Sequence, residues 1–211
     1  MKNRFVIVVT QRNAAPFIGK CLDSVLNQTY KNYIVPIMDD CSDDGTWEIV
    51  KQYPEPFYGI RNEPQHEFCC VNFITAINSF ANDDDILVLL SGDDWLYSDD
   101  VLEYLNEVYQ DDNIWLTYGS FISSSGAIGA DFCKPLVNTR TYRRSRKWYT
   151  SHLITCRKKL WIEVKGRWLK DAYERFLNFK QEYSTLFIQV IGPDKYKEMI
   201  KKYKSLIYLE G

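Results

Sequence analysis

Three short polar stretches carry the residue types best suited to chemistry: TQRN at 10–13, DDCSDDGT at 39–46 and SGDD at 91–94. In the third, five apolar residues, 86–90, run straight into Ser91, Gly92 and the adjacent carboxylates Asp93 and Asp94. Two like charges side by side repel each other, and a divalent cation relieves that repulsion. Oxygen donors suit Mg2+ or Mn2+, which combine one or two carboxylates with phosphate oxygens and water. The pair Asp93 and Asp94 gives one carboxylate for the metal and one for a sugar hydroxyl, with Gly92 letting the backbone turn closely beneath the ligand. Taken singly, each stretch also reads as ordinary turn and helix-capping sequence. Three of them at one edge of one sheet point instead to a phosphate-bearing ligand and its cation.

The elements that would bring them to one edge follow from periodicity. FVIVV (5–9) is the unbroken β-branched run of a strand buried on both faces. Residues 17–28 place Ile18, Cys21, Leu22, Val25 and Leu26 at helical spacing. Strands are expected at 33–38, despite Pro36, at 57–62 and at 86–90. Helices are expected after Ser42, over roughly 66–81, and at 98–109, the last with a capping signature. Such alternation predicts a mostly parallel α/β sheet, whose ligands bind beyond the carboxyl ends of the strands. The second half is less regular: one or two strands with a Gly/Ser turn over 114–130, then helix over 151–164 and onward to the end.

Bulk properties narrow the function classes. The 211 residues, 45% hydrophobic and with a net charge of −2, suit one compact domain and give no case for nucleic-acid binding. The six cysteines include no CxxC pair and the two histidines, His66 and His152, lie far apart, which argues against structural zinc. No run is long enough to span a bilayer and no signal peptide opens the chain, so a cytoplasmic protein is expected. Charge is segregated, with acidic clusters before residue 101 and the basic RTYRRSRKWY at 140–149. Arg143, Arg144, Arg146 and Lys147 could stabilise a departing diphosphate, or form a solvated loop.

The stretch VVTQRNAAPFIGKCLDSVLNQTYKNYIVPIMDDCSDDGT resembles the opening of family 2 glycosyltransferases. Their pattern runs V-x-x-Y-N, a helix ending S-x-x-x-Q-T-Y, and a strand leading to D-D-x-S-x-D-x-T. Asn13, Ser24, Gln28, Thr29, Tyr30, Asp39, Asp40, Ser42, Asp44 and Thr46 carry the match. LSGDDWL resembles the family's DxD-type element, and WYTSHLITCRKKLW its W-x-x-S-H-L segment less closely. The resemblance covers most of 5–192. It implies a GT-A fold and a metal-dependent, inverting transfer from a UDP-sugar to a carbohydrate hydroxyl. Residues 1–98 would hold the nucleotide sugar and 99–211 would shape the acceptor side, within one compact domain that can belong to a longer chain. Brevity also resembles viral transferases that build capsid glycans.

Position by position, the resemblance implies that Thr10, Gln11 and Arg12 border the nucleobase and that Asp40 accepts from the uracil imide. Arg61 would meet base or phosphate, Asp93 the ribose or sugar, and Asp94, with Asp93, the Mn2+ or Mg2+. Two departures stand out: Ser91 where many members carry an Asp, and Arg12 where Tyr is usual. His152 would contact diphosphate or acceptor. Trp148 either stacks on a sugar or packs in the core. The general base is expected in the second half, at Glu182 first, with Asp171, Glu174 and Asp131 as alternatives. The competing class is a non-catalytic sugar-nucleotide or glycan-binding module of a larger protein. A nucleotidyltransferase ranks lower, because no Gly-rich basic loop follows the first strand.

Overall fold

The computed structural model describes residues 2–65, 69–119, 121–123, 125–126, 128–129 and 151–161. Its centre is β1 (Phe5–Gln11), in which all seven residues are buried. Alternate side chains go to opposite faces of a strand, and each face here has its own cover. Phe5, Ile7 and Val9 pack with Ile18, Cys21, Leu22 and Val25 of α1 (Ala15–Leu26), Val50 of α2 (Thr46–Val50), and Leu102 and Leu105 of α4 (Val101–Val108). Val6 and Val8 pack with Met38 of β2 (Tyr33–Asp39) and with Ala76 and Ile77 of α3 (Cys69–Phe80). Burial on both faces explains the unbroken apolar run.

β3 (Phe57–Arg61), β2, β1 and β4 (Ile86–Ser91) are parallel neighbours. Two further strands complete a six-stranded sheet in the order β3-β2-β1-β4-β8-β5, with β5 at Leu116–Gly119 and β8 at Ser151–Arg157. A separate hairpin pairs β6 (Phe121–Ile122) with β7 (Ile128–Gly129). The mostly parallel α/β class is therefore as expected. The sheet draws strands from both sides of residue 98.

One expected element is different. Residues 151–157 form β8, antiparallel to both β4 and β5, and helical backbone starts only at Lys158. SHLITCR fits a strand because its alternate residues face different layers. Leu153 packs on the α1 side and Cys156 on the α3 side. Thr155, fully buried, is held by hydroxyl contacts of 2.7 Å to Tyr109 and 2.6 Å to Thr117.

The S-x-x-x-Q-T-Y residues prove to be fasteners. Gln28 is fully buried; its Nε2 donates to the carbonyls of Ser24 (3.0 Å) and Ser98 (2.6 Å). Its Oε1 accepts from the Leu102 amide at 3.0 Å, supplying α4 with a cap that Asp100 does not provide. Ser24 Oγ accepts from Leu96 N, and Thr29 N donates to Asp99 O. The end of α1 thereby grips the segment that follows Asp93 and Asp94.

Candidate active site

The parallel register aligns the chemically loaded residues in one row. Thr10 pairs with both Met38 and Ser91, Gln11 with Asp39, and Asp39 with Arg61. Just beyond lies a cleft of about 310 Å³, lined by Thr10, Gln11, Arg12, Asn13, Asp40 and Asp93, with Ser91, Gly92, Asn72, Ala14 and Phe17 completing the wall. That volume is at the lower end of the range for small-molecule sites.

The turn after β2 is a tightly bonded knot. Asp39, fully buried, accepts from the Ser42 amide at 3.2 Å, the Ser42 hydroxyl and Gln11 Nε2 at 3.2 Å. Arg61 braces it from behind, 3.9 Å from Asp39 and donating to Ser42 O at 3.0 Å, with Glu63 at 3.2 Å. Cys41 (φ 61°) and Gly45 (φ 94°) make the left-handed bends of this turn.

The same turn caps α1 from a distance. Ala14 provides no side-chain cap; instead Ala14 N donates to Thr46 Oγ1 at 2.8 Å and Ala15 N to Asp44 Oδ2 at 3.0 Å. Asn13, itself left-handed at φ 53°, donates its amide to Ser42 Oγ and accepts from the Asp43 amide. The Thr46 hydroxyl and the backbone amides of Ala15 and Thr46 hold the Asp44 carboxyl below its ordinary range, the hydroxyl most strongly. Ser42, Asp44 and Thr46 are thus architecture, and Asp40 is the carboxylate that this architecture presents to the cleft. Asp40 N is tied to Gln11 O at 2.9 Å, and its Oδ1 accepts from Asn62 Nδ2 at 3.0 Å.

After β4 the backbone turns under the cleft floor. Gly92 N donates to Thr10 O and Asp94 N to Ser91 O, each at 3.0 Å. A Cβ at residue 92 would lie 2.7 Å from Gln11 Cβ and 3.0 Å from Gln11 Oε1, so only glycine fits without displacement. Among the described residues, no hydrogen-bond partner meets the buried Gln11 Oε1 pressed against it. Asp93 is exposed on the rim beyond. Burial, with the charges of Asp94 and Asp93, pushes the Cys21 thiol up, so Cys21 beneath the turn is a neutral packing group.

Ser91, Asp93 and Asp94 bring oxygen donors to this turn. Two adjacent carboxylates and a serine fit a hard divalent cation whose remaining ligands are phosphate and water. Among the described residues no group of three or more His, Cys, Asp or Glu gathers into a metal-binding cluster.

Of the residues singled out in the sequence, Thr10, Gln11, Arg12, Asp40 and Asp93 share the cleft wall, and Asp94 adjoins it. Arg61 stands one layer behind, in the knot that holds Asp39. The backbone of His152 lies in β8, where the pairing of Leu89 with Ile154, carried on, brings it level with Ser91. Glu182, Asp171, Glu174, Asp131, Trp148 and the basic segment at 140–149 lie outside the described residues. Asn62 and Asn72 escaped the sequence reading. The available signal was one asparagine just past a strand and another inside the apolar face of CCVNFITAI. Among the described residues no helix is long and apolar enough to cross a membrane.

Known proteins are similar to this chain in sequence and in fold. A glycosyltransferase GlyA from Streptococcus pneumoniae serotype 4 is 28% identical over 127 residues, 59% of this chain but 18% of GlyA. Residues 1–349 of S. aureus TarS, solved in complex with UDP-GlcNAc, superpose with a TM-score of 0.57 at 16% identity, covering 77% of this chain and 48% of that one. The mannosyltransferase PcManGT from Pyrobaculum calidifontis, solved with GDP-Man and Mn2+, gives 0.55 at 14% identity over 95% of this chain and 70% of that one. These structures share the GT-A fold. The relatives named are bacterial and archaeal and lend no support to a viral source. The chain spans about a fifth of GlyA and about half of the TarS fragment. The model of the family described as Glycosyl transferase family 2 matches residues 6–181, and this chain belongs to that family of glycosyltransferases.

Proposed function

We propose that the cleft takes a nucleotide-sugar donor, a UDP-sugar in the leading reading, and that the chain transfers its sugar with inversion to a carbohydrate hydroxyl. The observation that carries this reading is the convergence of Asp40 and Asp93 on one cleft at the carboxyl ends of β2 and β4. Asp40 accepts from the base, Thr10, Gln11 and Arg12 border it, and Arg61 steadies the turn from behind. The Arg12 guanidinium, planar and cationic, replaces an aromatic ring against the base or reaches the diphosphate. Asp93 takes a ribose or sugar hydroxyl.

Asp94, aided by Asp93, would hold Mn2+ or Mg2+, which supplies Lewis-acid stabilisation of the leaving diphosphate. His152 comes to the same edge as Ser91 and is proposed to contact diphosphate or acceptor. Glu182, with Asp171 as the alternative, is proposed as the general base that removes the acceptor proton during attack. Residues 1–98 serve the donor and 99–211 the acceptor.

A second reading, a non-catalytic sugar-nucleotide-binding module, is favoured by Ser91, which leaves the turn with one carboxylate fewer than a D-x-D-D element. A screen of UDP- and GDP-sugars with mixed glycan acceptors separates the two. Release of free nucleotide diphosphate that depends on acceptor supports transfer; tight nucleotide binding with no turnover of any donor supports the binding module.

A further inference from the structure

We infer that Phe17, Lys20 and Trp95 form an acceptor platform beside the cleft, and that the saccharide it takes carries a carboxylate on its ring, as a hexuronate does. The inference rests on the donor-site reading above and goes further by assigning the acceptor's chemical class.

Phe17, 47% exposed, stands in the cleft wall. Trp95 follows directly on Asp94 and is 40% exposed, and Tyr97 is 83% exposed. Between those two rings Leu96 is buried and anchors the segment that displays them. The anchorage is polar as well: Ser24 Oγ accepts from the Leu96 amide at 3.0 Å, and Gln28 Nε2 donates to Ser98 O at 2.6 Å. Phe17, Lys20 and Ser24 recur at spacings of three and four residues, so they share one face of α1. The helix face that reaches the cleft wall therefore also seats the segment bearing Trp95, and the two keep a fixed relation.

Lys20 gives the platform its charge. Its Nζ lies 3.6 Å from the centroid of the Trp95 ring, a cation on a π face. Among the described residues no carboxylate forms an ion pair with it. The ammonium carries three N–H donors, and those turned from the ring are available to an anion.

A pyranose presents a face of weakly positive C–H bonds, which packs on the negative face of an aromatic ring. A neutral sugar would leave the ammonium unanswered. Because the ammonium sits directly on the indole, charge and C–H face have to belong to one sugar residue. A hexuronate meets this condition, with its carboxylate on the ring, whereas a phosphodiester sets its charge between residues. Phe17, three residues before Lys20 and about 4.5 Å along the helix axis, carries the platform on to the cleft, where the accepting hydroxyl must arrive.

The test is NMR titration of the full chain, without nucleotide, following the tryptophan indole N–H signals. The probes are short galacturonate and glucuronate oligosaccharides, their methyl esters, and phosphorylated oligosaccharides of equal length. The Trp95 signal, identified by its loss in Trp95→Phe, should move on addition of a uronate oligosaccharide. The acid should bind about tenfold more tightly than its methyl ester, which keeps the ring and loses the charge. Lys20→Gln should level acid and ester, and Lys20→Arg should restore the preference. Should a variant fail to fold, the comparison of acid with ester in wild type decides alone. Equal binding of acid and ester, tighter binding of the phosphorylated sugars, no response at Trp95, or full preference in folded Lys20→Gln overturns the inference. A separate titration with UDP and GDP reads the donor site: uronate binding without any nucleotide binding overturns the donor-site reading and not the platform.

Discussion

The turns after β2 and β4 are both built on adjacent aspartates, yet they answer to different demands. After β2, Asp39 has no exposed surface and three donors upon it, and Asp44 accepts from the first turn of α1. After β4, Asp93 stands exposed on the cleft rim, and the closest packing involves Gly92, not a carboxylate. A carboxylate ringed by internal donors stabilises a loop. A carboxylate pair set at the rim of a cleft retains charge for a ligand. Identical residue types thus serve as scaffold in one turn and, under the proposed function, as chemistry in the other, and Asp40 is where the scaffold presents one carboxylate to the cleft.

This contrast can be broken by exchange of stability for activity. The largest effect is expected from Asp94→Ala, which should lower sugar transfer by about 10²–10³-fold or more while the thermal midpoint moves only slightly. A folded Asp94→Ala protein with full activity would contradict the assignment of that turn to chemistry. Asp39→Ala should do the opposite. It strands the Ser42 amide and Gln11 Nε2 in a buried place, and should cost about 3 kcal/mol or more in denaturant unfolding, with activity lost only in proportion to unfolding.

Gly92→Ala ranks next and sharpens the link between the turns. Its Cβ would press on Gln11, and overpacking of this kind costs about 1–3 kcal/mol. Because Gln11 bonds Asp39 and abuts Gly92, the variant should weaken nucleotide and Mn2+ binding together, as read by parallel titrations. The smallest effect concerns Asp44. Its carboxyl is held below the usual range, so the native state binds protons more weakly than the unfolded chain there. Its stabilising contribution is complete above the ordinary carboxylate range and disappears as pH falls through the lowered value. Melting curves of Asp44→Ala and wild type should therefore differ at pH 7 and converge in acid.

Much of this was legible in residue order. Continuous apolar runs, β-branched in β1, marked β1 and β4 because a strand covered on both faces has no polar side to show, and the carboxylate clusters marked the strand ends. β8 was not legible as a strand, because SHLITCRKKLW also fits a helical period. Only the presence of β4 and β5 on its two sides selects the strand. The caps were hidden for a different reason. Ala14 offers none, and the groups that replace it, Asp44 and Thr46, lie about thirty residues downstream. Arg61 could be placed at a strand end, but the direction of its guanidinium depends on Asp39 and Ser42, which only the folded turn presents. Asn72 is one polar residue within an apolar helix in residue order, and its bond to Asn62 exists only in the fold.

One cleft is proposed to join a nucleotide to a cation through Asp40, Asp93 and Asp94. The most direct test is calorimetric titration of UDP and GDP into wild type and Asp94→Ala, each with and without Mn2+. Mn2+ is expected to strengthen nucleotide binding in wild type and to leave it unchanged in Asp94→Ala. Nucleotide binding by wild type that is indifferent to Mn2+, or strengthened equally in both proteins, would contradict the proposal.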